Sequence, residues 1–170
     1  MQRIFQQLIF LFFLFSSGCV NPFAPGLDES PDGNFGLITD QKTVDGVLQN
    51  FKYAYTFRDS TLYGKTLANN FLFLYKDYDK GVDVFWGRDD DMRSTFGLFQ
   101  SAQRLDLVWN YTLAENIDTV RASVTKNFNL TVTFSPSDIV RIDGYVSLIL
   151  ERENLNSQWK IIRWRDESNF

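Results

Sequence analysis

Histidine is absent from all 170 residues. That absence removes Ser-His-Asp and Cys-His catalysis and the usual histidine-containing metal sites. Cys19 is the single cysteine, so no internal disulfide can staple the fold. Basic residues are the minority, 17 Lys and Arg against 21 Asp and Glu for a net charge of −4, which argues against a nucleic-acid partner. No apolar run reaches the roughly 20 residues needed to span a bilayer as a helix. Proline is scarce, and three of the four prolines lie before residue 38. Aromatic residues are abundant instead, with 17 Phe, 7 Tyr and 4 Trp. No cofactor and no metal is expected.

The N-terminus has its own pattern. Arg3 supplies one positive charge, LIFLFFLF follows from Leu8 to Phe15, and Ser16-Ser17-Gly18 leads to Cys19. A basic start, a short apolar run and small residues form the secretory signal layout. The segment resembles the bacterial lipoprotein signal, in which a small residue precedes an invariant cysteine. Ser17 and Gly18 match, while Ser16 stands where leucine is usual. The resemblance implies cleavage before Cys19 and lipid on that cysteine, a signal peptide over 1–18 and a membrane partner. A single acyl chain binds only marginally, so stable anchoring takes at least two. Val20 after the cysteine, in place of aspartate, points by the same resemblance to the outer membrane, facing the periplasm. The alternative is an ordinary signal peptide cut near Gly18, releasing a soluble protein. Loss of residues 1–18 removes Arg3 and takes the net charge from −4 to −5.

Residues 19–38 read as a tether, CVNPFAPGLDESPDGNFGLI, with no helical or strand period. Residues 39–170 read as one domain with one core. Val44, Val47, Leu48, Phe51, Ala54 and Tyr55 form an apolar stripe, predicting a helix over 42–58 with Thr39 or Thr43 as its cap. Asp59-Ser60 breaks it and starts a short second helix ending near Asn69-Asn70. Short strands are expected at 71–75 and 82–86, joined by a polar turn. Asp89-Asp90-Asp91 opens a third helix with Met92, Phe96 and Phe99 inward. Three adjacent acids could suggest a cation site, but carboxylates capping a helix N-terminus are the better account, because a hard cation needs six or more converging oxygens.

Beyond Arg104 the chain alternates. Leu105, Leu107, Trp109, Tyr111 and Leu113 share one strand face. Val120, Ala122, Val124, Phe128, Leu130, Val132 and Phe134 line a second strand, which Lys126 interrupts, so a bend or bulge is expected there. Val140, Ile142, Val146, Leu148 and Leu150 line a third, with Gly144 as a kink. QWKIIRWR at 158–165 forms the last. Trp164 and Ile162 are expected to face away from Trp159 and Ile161, making that strand apolar on both sides. The short connections predict antiparallel neighbours, giving an α+β architecture of N-terminal helices on a strongly curved, mostly antiparallel sheet.

This order resembles the nuclear transport factor two-like, or SnoaL-like, superfamily. The segments that carry the likeness are VLQNFKYAYTFRDSTLYGKTLANNFLFLY at 47–75 and QWKIIRWRDE at 158–167. The resemblance implies a cone with a pocket at its open end, and a homodimer through the outer sheet face. It says little about activity, because the fold hosts many. Placing the ketosteroid-isomerase branch on this chain puts Phe51 where that branch has its tyrosine and Tyr75 where it has its base. A phenyl ring donates nothing, and a phenol of pKa near ~10 is a poor base at neutral pH. The scytalone-dehydratase branch needs histidines. The Asp-Arg-Asp set of the limonene-epoxide-hydrolase branch has no counterpart, since Arg88 and Asp89–Asp91 sit together at one helix start. No catalytic residue is therefore assigned.

The candidate pocket residues are Tyr55, Tyr75, Trp86, Trp109 and Tyr111, whose amphipathic rings suit a small apolar ligand. Packed core is the competing account of the same rings. The favoured function is an exported, lipid-anchored envelope protein with a non-catalytic ligand-binding or assembly domain. The alternative is a histidine-free hydro-lyase or isomerase acting on a small apolar substrate. An Asp buried beside Tyr55 or Tyr75 would favour the second.

Overall fold

A computed structural model describes residues 38–168. The expected signal peptide, Cys19 and the tether through Leu37 lie outside the described residues. The described chain runs α1 (Val44–Phe57), α2 (Ser60–Thr66), β1 (Leu67–Asp77), β2 (Val82–Gly87), α3 (Arg88–Ser101), β3 (Arg104–Ile117), β4 (Arg121–Ser135), β5 (Asp138–Glu151) and β6 (Lys160–Ser168). The strands form one curled sheet in the order β2-β1-β6-β5-β4-β3. All neighbours are antiparallel except β1 and β6, which run parallel. The α+β architecture expected from the pattern, and the cone that the resemblance implies, are thus present.

Local chemistry sets the helix ends. Thr43 caps α1 by accepting from the Gly46 N–H at 3.0 Å. Thr39 instead donates its hydroxyl to the Gly46 carbonyl. Arg58 ends the helix in the left-handed region at φ 55°. Its guanidinium donates to the Ala102 carbonyl at 2.7 Å, a bond that helps offset the strain of a non-glycine there. Asp59 caps α2 through the Leu62 N–H. That helix stops at Thr66, earlier than expected, because Leu67 already pairs with Ile161 of β6.

The apolar stripe of α1 fills the concave side of the sheet. Phe51 has no exposed surface. The rings of Trp164, Tyr55, Tyr63 and Trp109 surround it at centroid distances of 4.8, 5.0, 5.2 and 5.9 Å. Beneath lie Leu105 and Leu107 of β3, Val124 and Phe128 of β4, Val146 and Leu148 of β5, and Ile161 of β6. Burying such side chains stabilises by roughly 1.5–3 kcal/mol each.

Five expectations need correction. The irregularity expected at Lys126 in β4 lies instead in β3, whose register shifts between Trp109 and Thr112 and again between Thr112 and Ala114. Lys126 stays in register with Val146, its ammonium donating to Thr112 Oγ1 at 3.0 Å. The shift ends the alternation early, leaving Tyr111 54% and Leu113 61% exposed. On α3, Phe96 faces solvent, and its place in the interior is taken by Asp91 and Thr95, two turns and one turn before Phe99. Asp89–Asp91 supply no side-chain capping bond, since the cap is Gly87. Trp164 faces the core on the same side as Ile161. A register shift lets these two pair with the inward Leu148 and Leu150, taking up Ile162 as the extra residue. The strand apolar on both faces does not exist.

Candidate functional site

The far end of the concave side, where α3 crosses β1 and β2, holds two neighbouring cavities. The inner chamber, about 180 Å³, is lined by Tyr55 of α1, Tyr63 of α2, Phe73 of β1, Trp86 of β2, Asp91, Ser94, Thr95 and Leu98 of α3, and Trp164 of β6. The outer cleft, about 680 Å³, shares Phe73 and Trp86 and adds Tyr75, Lys76 and Asp77 from the end of β1 and Tyr78 and Asp79 from the turn that follows, with Asp166, Glu167 and Ser168 from β6. The Phe73 and Trp86 rings stack at 4.5 Å and form the wall common to both. This follows from the β1–β2 pairing, which sets Phe73 directly opposite Trp86.

Asp91 is the chemical centre of the inner chamber. It is only 5% exposed. Tyr63 donates its hydroxyl to Oδ2 at 2.6 Å and Trp86 donates Nε1–H to Oδ1 at 3.1 Å. Burial pushes the carboxyl above the ordinary aspartate range, and the two donated bonds pull it back only in part. The same burial, reinforced by the nearby Asp91 carboxylate, raises Tyr55 and Tyr63 well above an ordinary phenol. Both tyrosines are therefore neutral donors at any physiological pH. Asp166, at the boundary with the outer cleft, is raised by burial too, against the opposing bond from Ser168. Trp164 completes the wall, and its buried Nε1–H has no acceptor among the described residues.

The expected pocket residues divide. Tyr55 and Trp86 meet in the inner chamber, and Tyr75 joins Trp86 in the outer cleft at 5.5 Å. Trp109 belongs to neither cavity. It packs on Phe51 and donates Nε1–H to the Leu48 carbonyl at 2.9 Å, so it serves the core. Tyr111 lies outside, its hydroxyl 2.8 Å from that of Tyr145 on the exposed part of the sheet. Phe51, aligned with a catalytic tyrosine by the family likeness, is core.

Sequence reasoning missed Tyr63, Phe73, Asp91, Trp164 and Asp166. Asp91 was readable: Asp91, Thr95 and Phe99 recur at four-residue steps and so share one helix face. Among the described residues no group of three or more Cys, Asp or Glu is arranged to hold a metal ion.

No protein-family model matches the chain, and no curated protein matches it in sequence. Solved structures do match in shape. A conserved protein from Planctomyces limnophilus superposes with a TM-score of 0.65 at 13% identity, over 74% of this chain and 93% of that one. A proposed dehydratase of the NTF2-like family from Streptomyces avermitilis gives 0.58 at 13% identity, over 72% and 90%. The hexachlorocyclohexane dehydrochlorinase LinA-type3 from Novosphingobium barchaimii gives 0.57 at 6% identity, over 75% and 84%. At these identities the likeness shows the fold alone, an α+β cone of the kind seen in nuclear transport factor two-like proteins.

Proposed function

We propose that this chain is an exported envelope protein, anchored by lipid on Cys19, whose cone domain binds a small, largely apolar ligand without transforming it. The anchoring half rests on the residues from Arg3 to Cys19. The binding half rests on one observation above all: a cavity walled by the rings of Tyr55, Tyr63, Phe73, Trp86 and Trp164, with Asp91 and Thr95 among its few polar groups. Aromatic walls with a few converging polar groups are the usual make-up of a small-molecule site.

A neutral bicyclic ketone such as 1-indanone is a suitable probe. Calorimetric titration of the full chain in a non-ionic detergent is expected to show saturable binding, weakened about fivefold or more by Trp86→Leu, which removes the ring common to both cavities. Binding that ignores this change, in a variant of unaltered circular dichroism, would refute the assignment.

One observation favours the catalytic alternative. Asp91, a carboxylate held by Tyr63 and close to Tyr55, is the buried acid that a histidine-free hydro-lyase or isomerase would need as its base. Both of its oxygens already accept internal donors, which suits a fixed structural acceptor better than a base that must swing onto substrate. Mass spectrometry of bound ligand separates the two readings. Recovery of the ligand at unchanged mass and unchanged chromatographic retention supports binding alone, and loss of water, or a product of the same mass and shifted retention, abolished by Asp91→Asn supports catalysis.

A further inference from the structure

The outer cleft interleaves aromatic and acidic side chains. Phe73, Tyr75 and Trp86 form a connected cluster, with centroids 4.5 to 6.2 Å apart. Tyr78 stands at the lip, 77% exposed. Four acids line the cleft, Asp77, Asp79, Asp166 and Glu167, against the single basic residue Lys76. Two of these acids are already neutralised. Asp77 takes the Lys80 ammonium at 2.8 Å, and Glu167 lies 3.5 Å from the Arg165 guanidinium. Asp166 is different: its carboxylate accepts the Ser168 backbone N–H at 3.0 Å and has no cationic partner among the described residues. It is a partly buried negative charge beside aromatic rings, inside a cavity large enough for a small molecule.

Aromatic faces are the negative end of a quadrupole, and they attract ammonium groups lying within about 6 Å of the ring centre. A carboxylate in the same wall adds to that attraction and repels an anionic ligand. A hard inorganic cation would want six or more oxygens, which this cleft does not converge. We infer that the outer cleft recognises an organic cation, a quaternary or protonated amine carried on an apolar body, seated against Tyr75 and Trp86 with Asp166 as its counter-charge. This rests on the reading of the site as a ligand pocket and narrows the class of ligand.

The test compares benzyltrimethylammonium with its uncharged carbon analogue neopentylbenzene, titrated calorimetrically into the full chain in a non-ionic detergent. The cation is expected to bind about fivefold or more tightly than the analogue. Asp166→Asn, which keeps the size and the acceptor for Ser168, should abolish most of that preference while leaving neopentylbenzene unaffected. Tyr75→Leu should reduce the preference several-fold by removing a ring from a half-buried strand position. Equal or weaker binding of the cation, or a preference unchanged in a folded Asp166→Asn variant, overturns the inference. If 1-indanone binds and the cation does not, the inference fails and the ligand-pocket reading survives. If neither binds, both fail.

Discussion

At the scale of single residues, Asp91 decides the character of the inner chamber. It satisfies two buried donors at once, so Asp91→Ala strands the Tyr63 hydroxyl and the Trp86 indole N–H. Urea denaturation at pH 5 should show a loss of about 1–3 kcal/mol. The same residue gives a pH signature. Asp91 and Asp166 have folded-state values raised above their ordinary 3.8, so the folded chain holds their protons longer than the unfolded chain does. Their contribution is most favourable below pH 3.8 and declines as pH rises through the raised values. Asp77 is lowered by Lys80 and works in the opposite sense, over a lower pH range. Thermal midpoints followed from pH 4 upward should therefore fall more steeply in the native chain than in an Asp91→Asn, Asp166→Asn double variant. Parallel curves would contradict this assignment of the two carboxyls.

At the scale of elements, strand contacts control where the sheet can bend. Gly144 pairs with Phe128 on one side and Ser168 on the other. A Cβ at this position would lie 2.3 Å from the Ser168 Cα and 2.8 Å from the Glu167 carbonyl oxygen, both backbone atoms. Gly144→Ala should push the end of β6 away and destabilise by about 1–3 kcal/mol, read from the shift in urea midpoint. Because Asp166 lies two residues before Ser168, the variant should also lose affinity in the outer cleft. Thr43→Ala, remote from both cavities, should cost about 1 kcal/mol through the lost helix cap and leave binding unchanged. The elements themselves were largely legible. The stripe of α1 and the alternation of β4 and β5 are periodic signals long enough to be unambiguous. The ends of that alternation were not legible. The shifts in β3 and β6 turn Tyr111 outward and Trp164 inward, and no period in either segment announces them. A bulge is settled by what the neighbouring strand permits.

At the scale of the whole molecule, the anchoring proposal predicts where the protein is found. In a bacterial host, the native chain should partition with membranes and lack residues 1–18, its mass raised by the acyl groups on Cys19. Cys19→Ser should remove the lipid and either release the protein or leave it uncleaved. Fractionation and intact-mass measurement check this, and an unmodified chain beginning at Met1 in the cytosol would end the proposal. No described helix is long and apolar enough to cross a membrane.

What the sequence determined alone were the properties carried by composition and local period. These are the lack of histidine chemistry, the acidic charge, the N-terminal export pattern, the helix stripe and caps, and the succession of helices followed by long strands. The tertiary structure alone decided the site. Tyr55, Tyr63, Phe73, Trp86, Asp91 and Trp164 come from six different elements, and the parallel pairing of β1 with β6 brings Phe73 to Trp164. Local periodicity tells which face of an element is buried, but which buried faces meet depends on strand order and register, and these are set by contacts between residues distant in the chain.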